Sequence, residues 1–217
     1  MERGPVSSAA VSSGQCKSAV STRRRFLQAS FASLGLSSLA HGALAAEGDP
    51  AIIATAKAGL ERAGGRVAFR DLVGVADFAR PSATPRLHLV DLVGGRVETL
   101  LVAHGRGSDP EHSGWLRSFS NQPGSAATSQ GHYLTSGYYS GQHGRSMRLL
   151  GLDPSNSNAE ERAIVVHSAW YVGQDVVRQY GMLGRSEGCF AVSPADLPRV
   201  LNRLGPGRLL VATKLQA

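Results

Sequence analysis

Short runs of apolar residues, separated by Gly, Pro, Ser and Asn, dominate the chain after its first third. Two of these runs, residues 87–93 and 97–103, flank the pair Gly94-Gly95, an arrangement that predicts a β-hairpin with a two-residue turn. The same pattern predicts further short strands over residues 133–139, 146–150, 163–167 and 209–213.

Two segments have a helical pattern with recognisable ends instead. In residues 49–63, Asp49 can cap the N-terminus, Pro50 suits the first turn, and two glycines follow the last apolar position. Residues 193–205 begin with Ser as N-cap and Pro as first helical residue, and they end at Gly205. Strands outnumber helices, so the predicted fold class is all-β or β-rich, a sandwich or barrel with two helices packed outside.

The N-terminal segment follows a different pattern, because it is rich in Ser, Ala and Gly and contains a cluster of arginines. Residues 22–28, TRRRFLQ, match the twin-arginine export pattern [ST]-R-R-x-F-L-K except that Gln28 replaces the lysine. A mildly apolar run follows over residues 29–44, and residues 43–45, ALA, fit an A-x-A cleavage site. Polar residues interrupt this run too often for a permanent membrane span.

We therefore predict a cleaved signal peptide over residues 1–45 and one mature domain over residues 46–217, in the periplasm or at the cell envelope. The alternative is a disordered basic arm that binds nucleic acid or a membrane, but the order of basic, apolar and small residues favours export. The signal holds five of the 23 basic and one of the 16 acidic residues, so the net charge of +7 falls to +3 without it. Such a charge does not indicate a nucleic-acid partner.

Only two cysteines are present, and one of them, Cys16, lies in the predicted signal. The other, Cys189, would therefore be unpaired in an oxidising compartment, which leaves it either buried and inert or reactive. Its surroundings, GMLGRSEGCF, favour the reactive alternative, since glycines and polar residues are typical of an accessible loop.

A cysteine nucleophile needs an imidazole base within reach, and His167 is the strongest candidate among the six histidines after the predicted signal. It ends the apolar stretch RAIVVH, so a rigid strand end would hold its side chain. Gly188 and Cys189 could direct their backbone N–H groups at a developing oxyanion. For either side chain alone a structural role is the simpler interpretation; together they indicate a catalytic pair.

These residues belong to an ordered set of motifs that resembles the YkuD-type L,D-transpeptidases, closest to the branch described as murein L,D-transpeptidase catalytic domain with a GRSxGC motif. The resemblance covers roughly residues 50–213. Its motifs are DFARPS at 77–82, VAHGRGS at 102–108, FSNQPGS at 119–125, GQHGRSMRLLGLD at 141–153, IVVHSA at 164–169 and GRSEGC at 184–189.

The resemblance implies a mixed β-sandwich or barrel and acyl transfer on peptidoglycan stem peptides, without a metal or cofactor. Cys189 would attack the carbonyl between an L-centre and the terminal D-residue, and His167 would take the thiol proton. Gly188 and Ser186 would form the loop that carries the oxyanion site. An amine of a neighbouring stem would then resolve the thioester; with water in its place, the same residues would give an L,D-carboxypeptidase.

Two positions depart from the better-known branch of this family, which has a histidine where this chain has Glu187 and an arginine where it has Ala191. Arg185 and His143 are our candidates for the lost polar contacts. The loop that begins at His104 is expected to border the cleft and touch substrate.

The missing histidine leaves a second interpretation open, a wall-binding protein whose active site has decayed. A papain-like peptidase is disfavoured, because there the nucleophile precedes its histidine, whereas every histidine here precedes Cys189. A zinc site built from His104, His143, His167 and Cys189 has the right residue types but lacks the close ligand spacing of known sites.

Overall fold

The computed structural model describes residues 46–47 and 49–215, which form a nine-stranded mixed sheet with three α-helices and three short 3₁₀ helices. The strands are β1 (Ala46–Glu47), β2 (Leu72–Asp77), β3 (Leu87–Asp91), β4 (Arg96–Leu100), β5 (Gly131–Gly141), β6 (Gly144–Gly151), β7 (Val165–Ser168), β8 (Phe190–Val192) and β9 (Leu209–Thr213). The α-helices are α1 (Pro50–Ala63), α2 (Gln174–Tyr180) and α3 (Leu197–Leu204), and the 3₁₀ helices are Gly64–Arg66, Arg106–Ser108 and Pro154–Asn156. The predicted signal peptide lies outside the described residues.

The strand order is β1-β4-β3-β2-β9-β5-β6-β7-β8. The pairs β2/β9 and β7/β8 are parallel, and the other neighbours are antiparallel. Beyond β4 the chain continues to Ala103, which bridges Ala191 of β8, and to Gly105, which bridges Ser186. These bridges bring the continuation of β4 against the last strand of the sheet, so β8 is bonded on both sides. The prediction of a β-rich mixed sheet with few helices is confirmed.

Helix α1 covers one face of the sheet and has the capping that its sequence predicts. The Asp49 carboxylate accepts the N–H of Ala51 at 2.9 Å, Pro50 occupies the first turn, and the helix ends before Gly64. Its buried stripe packs on β2, β3 and β9, chiefly through Ile52 and Leu60. Each such fully buried aliphatic side chain contributes about 1.5–3 kcal/mol to folding.

The other face of the sheet carries the larger core, which includes α3 and three aromatic side chains, Phe78, Tyr133 and Phe190. The Tyr133 and Phe190 rings meet edge to face with centroids 5.4 Å apart, and Phe78 lies 6.1 Å from Phe190. Because Phe190 is the first residue of β8, this core holds the strand that directly follows Cys189.

Two details of the predicted elements are wrong. Four residues, Leu92 to Gly95, connect β3 and β4, because the Asp91 carboxylate accepts the N–H groups of Val93 and Gly94 and forms a wider turn.

The last helix is also shorter than predicted. The hydroxyl of Ser193 accepts the N–H of Asp196 at 3.1 Å and donates to its carboxylate at 2.6 Å, so this serine caps a turn. Helix α3 therefore starts only at Leu197. Within the part of the chain that the structure describes, no helix is long and apolar enough to cross a membrane.

Candidate active site

The parallel pair β7/β8 brings His167 and Cys189 to the same pocket. His167 is in register with Ala191, so Cys189, directly before β8, lies two residues from the partner of His167. Both side chains line a pocket of about 640 Å³. The other residues around it are Tyr139, Gln142, His143, Arg162, Ala163, Val165, Tyr171, Arg185, Ser186 and Glu187.

The thiol of Cys189 is partly exposed, and its sulfur donates a long hydrogen bond of 3.6 Å to the carbonyl of Ala163. Burial raises the pKa of this thiol, while the Val165 N–H and the Arg162 guanidinium oppose the shift. The net direction is upward, so the thiol is protonated at neutral pH in the resting protein.

The imidazole of His167 is only 2% exposed and has a fixed orientation. Its Nδ1 lies 2.8 Å from the carbonyl oxygen of Ser168, and because a carbonyl oxygen only accepts, Nδ1 carries the proton. Nε2 then carries the lone pair. Burial and the neighbouring His143 lower the pKa of His167 against the opposing effect of the Ser168 carbonyl, so the ring is a neutral base at neutral pH.

The predicted substrate residue His143 contacts His167. It lies in the turn between β5 and β6, and its ring stacks on the His167 ring with centroids 4.3 Å apart and planes 25° apart. Gln142 approaches the outer nitrogen Nε2 of His143 at 3.0 Å. The β5–β6 hairpin therefore forms one wall of the pocket.

Ser186 lies in the loop before Cys189 and bonds this loop to a neighbouring segment. Its N–H donates to the His104 carbonyl at 2.9 Å, and its carbonyl accepts the N–H of Arg106 at 2.7 Å. Its hydroxyl donates to the Cys189 carbonyl at 2.7 Å and accepts the N–H of Gly188 at 3.1 Å. This last bond differs from the prediction, because it engages the Gly188 N–H that was expected to face an oxyanion.

The charged residues of this loop are held by neighbouring segments. Arg185 lines the pocket and donates to the backbone carbonyls of Asp109 and Pro110. Glu187 is exposed and pairs with Arg106 at 2.7 Å, which partly neutralises an anion two residues before Cys189.

The structure does not bring His104 to the pocket wall. The ring is 1% exposed, and its Nδ1 lies 2.7 Å from a guanidinium nitrogen of the fully buried Arg86. Burial and Arg86 lower the pKa of His104 to about 4, so the ring is neutral, with Nε2 3.5 Å from the Asp109 carboxylate. His104 contacts the loop before Cys189 through its backbone carbonyl, which accepts the N–H of Ser186.

Arg162 lines the pocket and was missed by sequence reasoning. It precedes β7 in the segment ERAIVVH, where a charged residue before a strand is ordinarily a solvated one. The only signal in the sequence is that Arg162 lies five residues before His167. This spacing does not reveal the contact between Arg162 and the loop that precedes Cys189. Across residues 46–47 and 49–215, no three His, Cys, Asp or Glu side chains cluster in a way that could hold a metal ion.

The fold and site thus define a β-rich protein in which a thiol directly before β8 and a neutral imidazole on the parallel strand β7 line one pocket. The chain belongs to the YkuD_2 family, the L,D-transpeptidase catalytic domain, which matches residues 46–212. Residues 46–212 thus carry a domain of the L,D-transpeptidase class. A comparison with curated proteins gave no significant match.

Similar solved structures include an L,D-transpeptidase from Mycobacterium smegmatis, with 16% identity, a TM-score of 0.41, and coverage of 68% of this chain and 59% of that one. L,D-transpeptidase 3 from Mycobacterium tuberculosis, in complex with a faropenem-derived adduct, has 15% identity, a TM-score of 0.41 and coverage of 66% and 60%. The helical cell shape determining protein Pgp2 from Campylobacter jejuni has 10% identity, a TM-score of 0.44 and coverage of 75% and 56%. The chain thus spans about three-fifths of the length of these proteins.

Proposed function

We propose that this protein is an exported L,D-transpeptidase that cross-links peptidoglycan stem peptides through a thioester on Cys189. The observation that carries the proposal is the shared pocket of Cys189 and His167, in which the imidazole is neutral and its free nitrogen is Nε2. A thiol beside a neutral imidazole is the arrangement that nucleophilic acyl transfer requires.

In the first half-reaction, Nε2 of His167 takes the proton of the Cys189 thiol as the sulfur attacks the carbonyl carbon before the terminal D-residue. The Cys189 N–H stabilises the oxyanion, since the Gly188 N–H is bonded to Ser186. The imidazolium then gives its proton to the departing amine, the C–N bond breaks, and a thioester remains. A positioned base of this kind contributes roughly 10²–10⁴-fold in rate.

In the second half-reaction, the side-chain amine of a neighbouring stem attacks the thioester. His167 accepts a proton from that amine and returns one to the leaving sulfur, which restores the free thiol and leaves a new amide cross-link. Water attacking in place of the amine would release a shortened stem, the L,D-carboxypeptidase reaction.

A carbapenem tests the acylation step, because its strained lactam carbonyl traps an acyl-transferring thiol. We expect a single covalent adduct on Cys189 by mass spectrometry, no adduct with Cys189→Ala, and adduct formation at least about a hundredfold slower with His167→Ala. Lys57→Ala, which changes an exposed side chain on α1 outside the pocket, serves as the control and should react like the wild type. A wild-type protein that stays unmodified would contradict the mechanism.

Muropeptide analysis of sacculi separates the possible reactions. New cross-links that disappear with Cys189→Ala support transpeptidation, and shortened stems without new cross-links indicate the carboxypeptidase. Binding to sacculi with unchanged muropeptides and an inert thiol would indicate a decayed wall-binding protein.

Export by the twin-arginine route is part of the same proposal, and the order of features in residues 1–45 supports it. Replacing Arg23 and Arg24 together by lysine should leave the precursor in the cytoplasmic fraction, whereas Lys17→Arg should not. Processing and envelope localisation that survive the double substitution would contradict this route.

A further inference from the structure

A half-buried arginine without an acidic partner lies next to the nucleophile. Arg162 lines the catalytic pocket, and within residues 49–215 its guanidinium forms no ion pair. Burial lowers the pKa of Arg162, but an arginine keeps its charge at neutral pH. The pocket therefore contains a permanent positive charge.

Two carbonyl groups of residues 119–128 fix the direction of this guanidinium. Nη1 donates to the Ser120 carbonyl at 2.8 Å, and Nη2 donates to the Ala127 carbonyl. A Cβ atom added to Gly188 would lie 3.2 Å from Nη2, so the guanidinium packs against the residue that precedes Cys189. Carbonyl groups orient a cation and solvate it, but they do not cancel its charge.

A partly buried charge without a counter-ion costs folding free energy, so its presence beside a nucleophile indicates that an anion forms there. The first anion that the reaction generates at this place is the Cys189 thiolate, before the oxyanion forms on the substrate. We propose that Arg162 is the fixed counter-charge of that thiolate and stabilises the negative charge that appears on sulfur as His167 takes the proton. The inference rests on the proposed function, in that Cys189 must be the nucleophile.

The other titratable groups around the sulfur do not replace this charge. Glu187 opposes the thiolate but is paired with Arg106, and burial raises the pKa values of Tyr133 and Tyr171 to about 12, so both are neutral. The remaining ionisable groups of the pocket are Tyr139, the neutral His167, His143 stacked on it, and Arg185, whose charge is not among those that shift the pKa of Cys189. Arg162 supplies the positive charge that opposes the effect of burial on the pKa of the Cys189 thiol.

Alkylation of Cys189 in the full chain, followed by peptide mapping, measures this effect directly. Iodoacetate is anionic and iodoacetamide is neutral, so their rate ratio reports the local potential, with the chain in concentrated urea as reference. We expect the folded wild type to favour iodoacetate relative to that reference. Arg162→Gln should lose the preference and raise the thiol titration midpoint by about one pH unit, which slows alkylation at neutral pH about tenfold.

Two further variants separate charge from loop support. Arg162→Lys keeps the charge but not the two-pronged hydrogen bonding, so it should retain most of the preference for iodoacetate. Arg178→Gln removes the same charge from an exposed site on α2 and should behave like the wild type. A merely structural role would affect the Lys and Gln variants alike.

Several results would overturn the inference. They are a folded wild type without preference for iodoacetate, a folded Arg162→Gln with unchanged alkylation, or a folded Arg162→Lys that loses the preference. If Arg162→Gln does not fold, the wild-type ratio and the Lys variant still decide. The carbapenem adduct is read separately: alkylation as expected without an adduct would refute the proposed function and leave the charge effect standing.

Discussion

The backbone around Cys189 is closely packed, as the surroundings of Gly188 show. Its φ of +118° is unfavourable for any residue with a side chain, and an added Cβ would lie 2.7 Å from the Ala127 carbonyl oxygen and 2.9 Å from Ile164 Cδ1. Glycine at this position therefore allows the loop before Cys189 to pack against residues 119–128 and the residue that precedes β7.

We expect Gly188→Ala to lower the free energy of unfolding by roughly 1–3 kcal/mol and to slow carbapenem acylation, because the loop that carries Cys189 must move. Urea unfolding and adduct kinetics measure the two effects. Gly137→Ala is a matched control, since that glycine in β5 has no atom within 4 Å of the added Cβ. Equal stability and rates for the two variants would contradict this account of the loop.

The β5–β6 hairpin affects the base through the stacked ring of His143. The proposed mechanism needs the neutral form of His167, and burial together with His143 lowers the pKa of that ring. The acid limb of the acylation rate should therefore lie below the ordinary histidine value of about 6.5. His143→Phe keeps a stacked ring but removes the second imidazole, and His143→Ala also admits water.

Both substitutions should raise the pKa of His167 and shift the acid limb of the pH–rate profile to higher pH, with the larger shift for His143→Ala. Carbapenem acylation rates measured over a range of pH check this, with Lys57→Ala, an exposed site on α1, as the control. An acid limb that stays in place or moves to lower pH in both variants would show that the hairpin does not affect the base.

The local sequence predicted the elements whose signals are local. Helix α1 has its cap and its glycine stop, and β9 matches the predicted residues. Strand β2 escaped prediction because Gly74 and Asp77 interrupt its apolar run, although all six of its residues are buried. Strand β8 has only three residues, too few for a pattern, and α2 has seven, with Gly173 in place of a side-chain cap.

The site could be predicted only in part for a related reason. Cys189 and His167 stand in motifs that are contiguous in sequence. The stacking of His143 and the position of Arg162 arise from strand pairings and loop contacts between distant segments. The burial of His104 depends on Arg86, which lies 18 residues away and carries no motif of its own. Contacts of this kind cannot be read from the chain one segment at a time.

For the molecule as a whole, two buried carboxylates connect stability to pH. Burial alone would raise the pKa of Asp153, but bonds from the N–H and Nδ1 of His132 and from Arg62 outweigh it and lower that pKa. The pKa of Asp109 is lowered in the same direction, because N–H groups of Ser113 and Gly114 outweigh its burial. Their stabilising effect is complete above the unfolded pKa near 4 and is lost as the pH falls through the lower folded values.

We therefore expect Asp153→Asn to lower the free energy of unfolding at neutral pH by about 1–3 kcal/mol and to flatten its decline in acid. Urea unfolding at several pH values measures both quantities. Glu160→Gln removes an exposed carboxylate and should change neither. An unchanged acid slope in Asp153→Asn would refute the assignment of this linkage.

Strand β8 is bonded to β7 on one side and to Ala103 on the other, so segments far apart in the chain must both be in place before it exists. A fragment that ends before residue 189, or a C-terminal fragment that lacks residue 103, does not contain all the segments that hold this strand and the site. From the proposed function we expect the sulfur to react with lactams during refolding only after these segments have met. The time at which lactam adducts appear would therefore report the last step of folding, after the earlier recovery of secondary structure.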